Sequence, residues 1–324
     1  MTTTEANICP VCDSQNNRKV FHTFDYLVTG KNFDIIECNK CTLRFTFPLS
    51  NPQKIGKYYQ SEDYISHTDI GNSMINILYK FVQRFTMRLR ARIVENYSGL
   101  TSGSILDIGC GTGLFLVEMQ INRWNISGVE ISESAQRFAQ EITDTKIYNQ
   151  DEFMQSLPQY DVITLWHTLE HLYDLKKYMY KISASLKNKG IVIVAVPNYM
   201  SLDADYYQHD WAAYDVPRHC YHFSKMAMNK LFNECGFTLV DIKHMPFDPF
   251  YVSLLSEFKV RKKRNIFKAL WIGWRSFWNG RKDTNRASSI MYVFEKSNIV
   301  SKEKSKNKST NSGSNKQINF FDYK

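Results

Sequence analysis

The stretch Ile105-Leu106-Asp107-Ile108-Gly109-Cys110-Gly111-Thr112-Gly113 constrains this chain more than any other. It reads as a short apolar strand ending in an acidic residue, then a loop with glycine at every second place, then a helix from Leu114. Glycines so spaced let the backbone turn sharply from strand to helix and leave no side chain between it and a ligand. The spacing is not the dinucleotide fingerprint, whose sixth place is glycine; here that place is Leu114. No Gly-Lys-Ser/Thr follows, so it is not a Walker loop either.

A second strand, Ile126-Ser127-Gly128-Val129-Glu130-Ile131-Ser132, ends in an acidic residue just over twenty positions on. A carboxylate at that place accepts hydrogen bonds from ribose hydroxyls in nucleotide-binding α/β sheets. Together the two segments resemble motif I and its sequel in the class I S-adenosylmethionine-dependent methyltransferases, and the resemblance to the ubiquinone-type enzymes is good over about Ser104 to Glu295. The resemblance implies that Gly109, Gly111 and Gly113 admit the cofactor, Glu130 grips its ribose and Asp107 supports the loop. It further implies that an acidic residue after the third strand, Asp151 or Glu152, touches the adenine amine. From the residues alone, Asp151 is equally a helix N-cap.

Apolar segments over Ser104–Ile108, Ile126–Ile131, Lys146–Asn149, Asp161–Leu165, Gly190–Pro197, Phe237–Met245 and Ser289–Glu295 alternate with helical stretches. This predicts an α/β fold, a Rossmann-like seven-stranded sheet. The family resemblance implies that the last strand is reversed. The methyltransferase domain is placed at 104–296, with a linker and lead-in helix at 51–103. In the helix, Ile77, Leu78, Phe81, Phe85, Leu89 and Ile93 recur at helical intervals. From Ser297 to 324, Lys, Ser and Asn dominate without periodicity, predicting a disordered tail.

Residues 1–50 form a separate small β unit. Cys9-Pro-Val-Cys12 and Cys38-Asn-Lys-Cys41 bracket a hairpin-like alternation, resembling a zinc ribbon. Four thiolates give tetrahedral Zn²⁺ a closed shell, so Cys9, Cys12, Cys38 and Cys41 are expected to hold a structural zinc. Seven cysteines, an odd count with two metal-spaced pairs, favour a reducing compartment. The first residues lack a basic region and an apolar core, so a secretory signal is not expected. These readings place the chain in the cytoplasm.

Two further regions carry chemistry. Trp166-His167-Thr168-Leu169-Glu170-His171-Leu172 follows the fourth strand; if helical, His167, Glu170 and His171 share one face. With His222 they form a candidate second metal set, similar to the Glu-x-x-Glu-His cluster of two metal-dependent methyltransferase groups. His167 stands where those groups have Glu, which disfavours a hard ion such as Mg²⁺. The segment 199–223 holds seven aromatic residues and three of the chain's eight histidines. It reads as a substrate lid for an apolar or ring-bearing small-molecule acceptor, with His219 and His222 as candidate bases.

Lys259 to Lys282 holds nine Lys/Arg and no acidic residue; removing those nine from 41 leaves 32, equal to Asp+Glu. All of the formal excess charge lies there. Phe267, Trp271, Trp274 and Trp278 recur at helical spacing within it. Tryptophan on one face and positive charge on the other compose an interfacial membrane anchor, so peripheral membrane contact through 259–282 is expected. A helix packed on the sheet is the plain alternative. Nucleic acid fits less well, since no arginine-rich groove motif occurs elsewhere. The expected activity is methyl transfer to a small acceptor. The rival is a non-catalytic zinc-ribbon interaction protein on a methyltransferase-like scaffold.

Overall fold

A computed structural model describes residues 8–49, 58, 74–263 and 265–297, leaving aside the side chains of 74–83. The expected linker at 51–73 (Tyr58 excepted) and the tail beyond Ser297 lie outside the described residues.

The N-terminal unit contributes β1 (Asn17–Phe24), β2 (Asn32–Cys38) and β3 (Arg44–Phe47), paired antiparallel in that order. The lead-in helix α1 (Met74–Ser98) follows. Its buried face in the described part runs through Ala91 and Val94, with Met87, Ile93 and Tyr97 beside them. Phe85, expected on that face, is exposed and meets Phe247 edge to face.

The doubly wound part runs through β4 (Ser104–Ile108), α2 (Leu114–Ile121), β5 (Asn125–Val129), α3 (Glu133–Thr143), β6 (Ile147–Tyr148), α4 (Gln150–Gln155), β7 (Tyr160–Trp166), α5 (Leu175–Ser185) and β8 (Leu186–Pro197). After β8 come α6 (Leu202–Tyr207), β9 (Tyr221–His222), α7 (Lys225–Glu234), β10 (Phe237–His244), α8 (Asp248–Leu255), α9 (Ile266–Lys282) and β11 (Ser289–Lys296). Seven of these strands form one sheet, in the order β10-β11-β8-β7-β4-β5-β6. Strands β4 to β8 are parallel, and β11 runs antiparallel between β8 and β10. The reversed final strand is as expected. Ile105, Leu106, Val162, Ile163 and the run Val192–Val196 are buried because helices cover both faces, which is why these strands read as continuous apolar runs.

The second sheet differs from a free-standing ribbon. Its order is β1-β2-β3-β9, so its last strand comes from the lid, far along the chain. Arg44 pairs with His222 and Phe45 with Tyr221. The Thr46 amide donates to the Cys220 carbonyl at 3.0 Å, and the Thr46 hydroxyl to the His219 carbonyl at 2.7 Å. An apolar core of Phe33, Ile35, Trp211, Tyr214 and Val216 spans both parts. The unit could not bury Ile35 and Phe33 by itself; the lid covers them.

Helix α9 corrects the expected distribution of charge. It buries Ile272 and its small residues Ala269, Gly273, Ser276 and Gly280. At Gly273 a Cβ would stand 2.9 Å from Phe250 Cα, so the glycine lets α8 lie close. The tryptophans point away from the body, and the positive charge flanks them instead of opposing them. The helix thus packs on the body by its other face, and the tryptophan strip lies on its outer face.

Candidate active site

Parallel strands bring their carboxyl ends to one edge, where open α/β sheets bind ligands. At that edge β4 ends in Asp107-Ile108 and the loop 109–113 turns into α2. Gly109, Gly111 and Gly113 have φ of 76°, 54° and 78°, the left-handed region that a side chain disfavours. Each glycine has its own surroundings. A Cβ on Gly109 would stand 2.3 Å from Thr168 Oγ1, so close approach of the post-β7 segment requires glycine there. A Cβ on Gly111 would meet nothing within 4 Å. The space for a ligand therefore opens at Gly111, while Gly109 serves packing within the chain.

Glu130 stands at the end of β5, half-buried. Its Oε2 accepts the Gly111 amide at 2.8 Å, and its Oε1 accepts the amides of Ile131 and Ser132, both at 2.9 Å. A carboxylate offers about four lone-pair sites, so these three bonds fix the group and leave about one acceptor site, on Oε2, for a ribose hydroxyl. Asp107 is the residue expected to support the loop. It is buried beneath the loop, and its Oδ1 accepts the Thr164 hydroxyl at 2.6 Å across to β7. Burial raises its pKa to about 7, against the opposing effects of Thr164 and the Arg90 guanidinium.

Asp151 is not the cap of α4. Asn149 is: its side chain accepts the Glu152 amide while Glu152 reaches back to the Asn149 amide, both at 2.9 Å. The spacing Asn-x-x-Glu is a capping box readable in the sequence. With Glu152 also paired to Lys146, Asp151 is the exposed carboxylate remaining at this strand end.

The segment after β7 is not an α-helix. His167 has φ of 56°, and only Leu169–His171 forms a single 3₁₀ turn. The presumed shared face of His167, Glu170 and His171 therefore does not exist. His167 instead lies between two carboxylates, with Nε2 3.0 Å from Asp248 and Nδ1 3.6 Å from Glu170. Burial alone would lower its pKa, but the Asp248 and Glu170 charges hold it up at about 10. A protonated imidazole has no lone pair for a metal. Asp248, which sequence reasoning missed, comes from the start of α8.

Glu170, His171 and His219 converge, each with a ligand atom within 4.8 Å of the others. His171 Nδ1 donates to the Arg218 carbonyl at 3.0 Å, and His219 Nδ1 to the Ala213 carbonyl at 2.8 Å. The rings meet edge to face with centroids 4.6 Å apart. His222 does not join them. It lies in β9, 4% exposed, with Nε2 3.2 Å from the Thr46 hydroxyl and its ring against Tyr214. Burial pushes its pKa far down, so it is a neutral residue of the wall between lid and ribbon. The expected set of His167, Glu170, His171 and His222 is thus replaced by Glu170, His171 and His219. Of the two candidate bases, His219 (side chain 12% exposed) is the one beside the strand ends.

The lid is pinned by buried charge. Arg218 contacts Asp215 through Nε and Asp25 through a terminal nitrogen at 3.0 Å. Asp203, at the start of α6, accepts from Trp211 Nε1, Ser276 Oγ and Ser288 Oγ at 2.6–2.8 Å, tying lid, α9 and the approach to β11 together.

The four cysteines also meet. Cys9 and Cys41 sulfurs are 3.4 Å apart, Cys12 and Cys38 sulfurs 3.6 Å, and all four lie within 4.8 Å. Four thiolates on 2.3 Å arms to a tetrahedral zinc stand roughly 3.8 Å apart. The cysteines are free and three are buried. Donor type, number and spacing fit structural zinc.

The family model described as "Methyltransferase domain" matches residues 78–242, half of the chain. The ubiquinone biosynthesis O-methyltransferase of Rickettsia bellii is 26% identical over 113 residues, covering 33% of this chain and 47% of that protein. Its Rickettsia canadensis counterpart is 22% identical over 174 residues, covering 48% and 72%. The chain thus spans about half the length of the first of these relatives. Among solved structures, magnesium protoporphyrin IX methyltransferase from Synechocystis PCC 6803 with bound SAH superposes with a TM-score of 0.51 at 13% identity, over 76% of this chain and 100% of that one. The sheet order, the glycine loop over Glu130 and the family match agree: the chain belongs to the class I S-adenosylmethionine-dependent methyltransferases.

Proposed function

We propose that the protein transfers the methyl group of S-adenosylmethionine to a small, largely apolar acceptor held under the 199–223 lid. The observation that carries this reading is the Glu130 carboxylate, fixed by the Gly111 amide beside the open space over that glycine. Intact loop and carboxylate disfavour a non-catalytic scaffold. When bound, the cofactor supplies an electrophilic sulfonium methyl. Glu130 holds the ribose, Asp151 is available to the adenine amine, and Gly111 gives the backbone its close approach. The lid excludes water and orients the acceptor, the usual sources of rate in such a transfer. His219, steadied by the Ala213 carbonyl, takes the acceptor's proton. A lipid-linked acceptor fits the aromatic lid.

Labelled S-adenosylmethionine tests this directly. Wild-type protein should move label into a small-molecule fraction, and His219→Ala should lower the rate by about 10²–10⁴ with cofactor affinity kept. Cofactor binding without label transfer to any fraction would favour the scaffold. Wild-type rates in both His219→Ala and His222→Ala would remove imidazole from the reaction.

A further inference from the structure

A helix on the surface of a soluble domain ordinarily turns its large apolar side chains inward. Helix α9 does the reverse. Phe267, Trp271, Trp274 and Trp278 are 83%, 55%, 47% and 43% exposed, while its buried face is built from Ala269, Gly273, Ser276 and Gly280 with Ile272 as the one large apolar residue. At 3.6 residues per turn these four aromatics fall on one strip, opposite Ala269, Ser276 and Gly280. Trp271 and Trp274 stack with centroids 5.3 Å apart, which makes the strip continuous. Lys268, Arg275 and Lys282 run along one flank, and Arg281 stands on the other. Leu202, Trp274, Arg275, Trp278, Asn279 and Lys282 line a shallow groove beside the strip.

Charge decides what covers this face. The segment 259–282 contains no acidic residue, so a second copy docked strip to strip would oppose like charges. An anionic bilayer neutralises them and accepts indole rings at its headgroup boundary. We infer that α9 is an interfacial membrane element, lying along an anionic phospholipid surface with its tryptophan strip inserted. No helix among the described residues is long and apolar enough to cross a membrane, and this mode needs none.

The placement connects the surface to the lid. Ser276, on the buried side of α9, donates to Asp203 at 2.6 Å, and Asp203 also holds Trp211 of the lid. The strip and the lid are therefore joined through one helix, and Leu202 of the lid lines the groove beside the strip. An acceptor dissolved in the membrane would enter from that side.

Co-sedimentation of the full chain with phosphatidylglycerol/phosphatidylcholine vesicles, at low and high salt, tests the assignment. Wild-type protein should sediment with the anionic vesicles, less at high salt but still measurably. Trp271→Ala/Trp274→Ala/Trp278→Ala should lose the salt-resistant part. Lys268→Gln/Arg275→Gln/Lys282→Gln should lower the low-salt partition on the order of a hundredfold. Calorimetry with S-adenosylmethionine checks that each variant is folded, and its result does not depend on lipid. Wild-type protein left in the supernatant at low salt would overturn the assignment. So would a tryptophan variant that binds vesicles as tightly as wild type, or one whose only change is loss of a concentration-dependent dimer.

Discussion

The Thr46 hydroxyl, at the end of the third ribbon strand, donates to the carbonyl of His219 at 2.7 Å. This bond crosses from the cysteine-bearing unit to the residue assigned the acceptor's proton. The unit read from the sequence as a separate fifty-residue β module is in the folded chain one wall of the lid. Its cysteine cluster therefore bears on the site through β3 and β9.

Zinc content tests the first part of this connection. The purified protein should carry about one zinc per chain, and Cys38→Ser should carry less. Because Cys38 ends β2 beside β3, loss of metal should loosen β9 and the lid. Methyl transfer should then fall further than affinity for S-adenosylmethionine. Equal metal in parent and variant, or none in either, would refute the cluster's role.

The Arg218–Asp25 pair is the second connection, with both side chains fully buried. Removing one partner of such a pair leaves uncompensated charge in a dry site. Arg218→Met should lower stability by about 3–5 kcal/mol in chemical unfolding. A variant as stable as the parent would show that this arginine is no clamp.

Asp107 gives a stability–pH signature. Its folded pKa, raised by burial to about 7, lies above the ordinary 3.8. Between these values the native state holds a proton that the unfolded chain releases. Stability from this group is present below about pH 4 and is lost as pH rises through 7. Asp107→Asn keeps an acceptor for Thr164 and has no charge to bury. It should be more stable than the parent above pH 7, by up to about 4 kcal/mol, with the gap closing toward pH 4. Parallel stability curves across that range would contradict the assignment.

Much of the sheet was legible because burial on both faces leaves apolar runs such as Ile191–Val196, bounded by turn residues. Glu130 was legible because an acidic residue ends an apolar strand at a fixed distance from the loop. What escaped depends on partners remote in sequence. Tyr221–His222 is too short to read as a strand until β3 stands beside it. His167 looked helical from its spacing with Glu170 and His171, but the Asp248 carboxylate and a left-handed backbone set its place. The Asn149–Glu152 capping box is legible locally from the Asn-x-x-Glu spacing, which leaves Asp151 outside the cap. The tryptophan spacing of α9 fitted inward or outward packing equally, and only the small residues on its other face, seen against α8, settle the direction.

Calorimetric titration of S-adenosylmethionine into wild-type protein and Glu130→Ala, with NAD as control, tests the central claim most directly. The wild type should bind S-adenosylmethionine and not NAD. In the variant the hydrogen bond from the ribose to this charged acceptor, contributing about 1.5–3 kcal/mol, is lost, so affinity should fall at least about tenfold. A folded Glu130→Ala protein with unchanged affinity for S-adenosylmethionine would contradict the account.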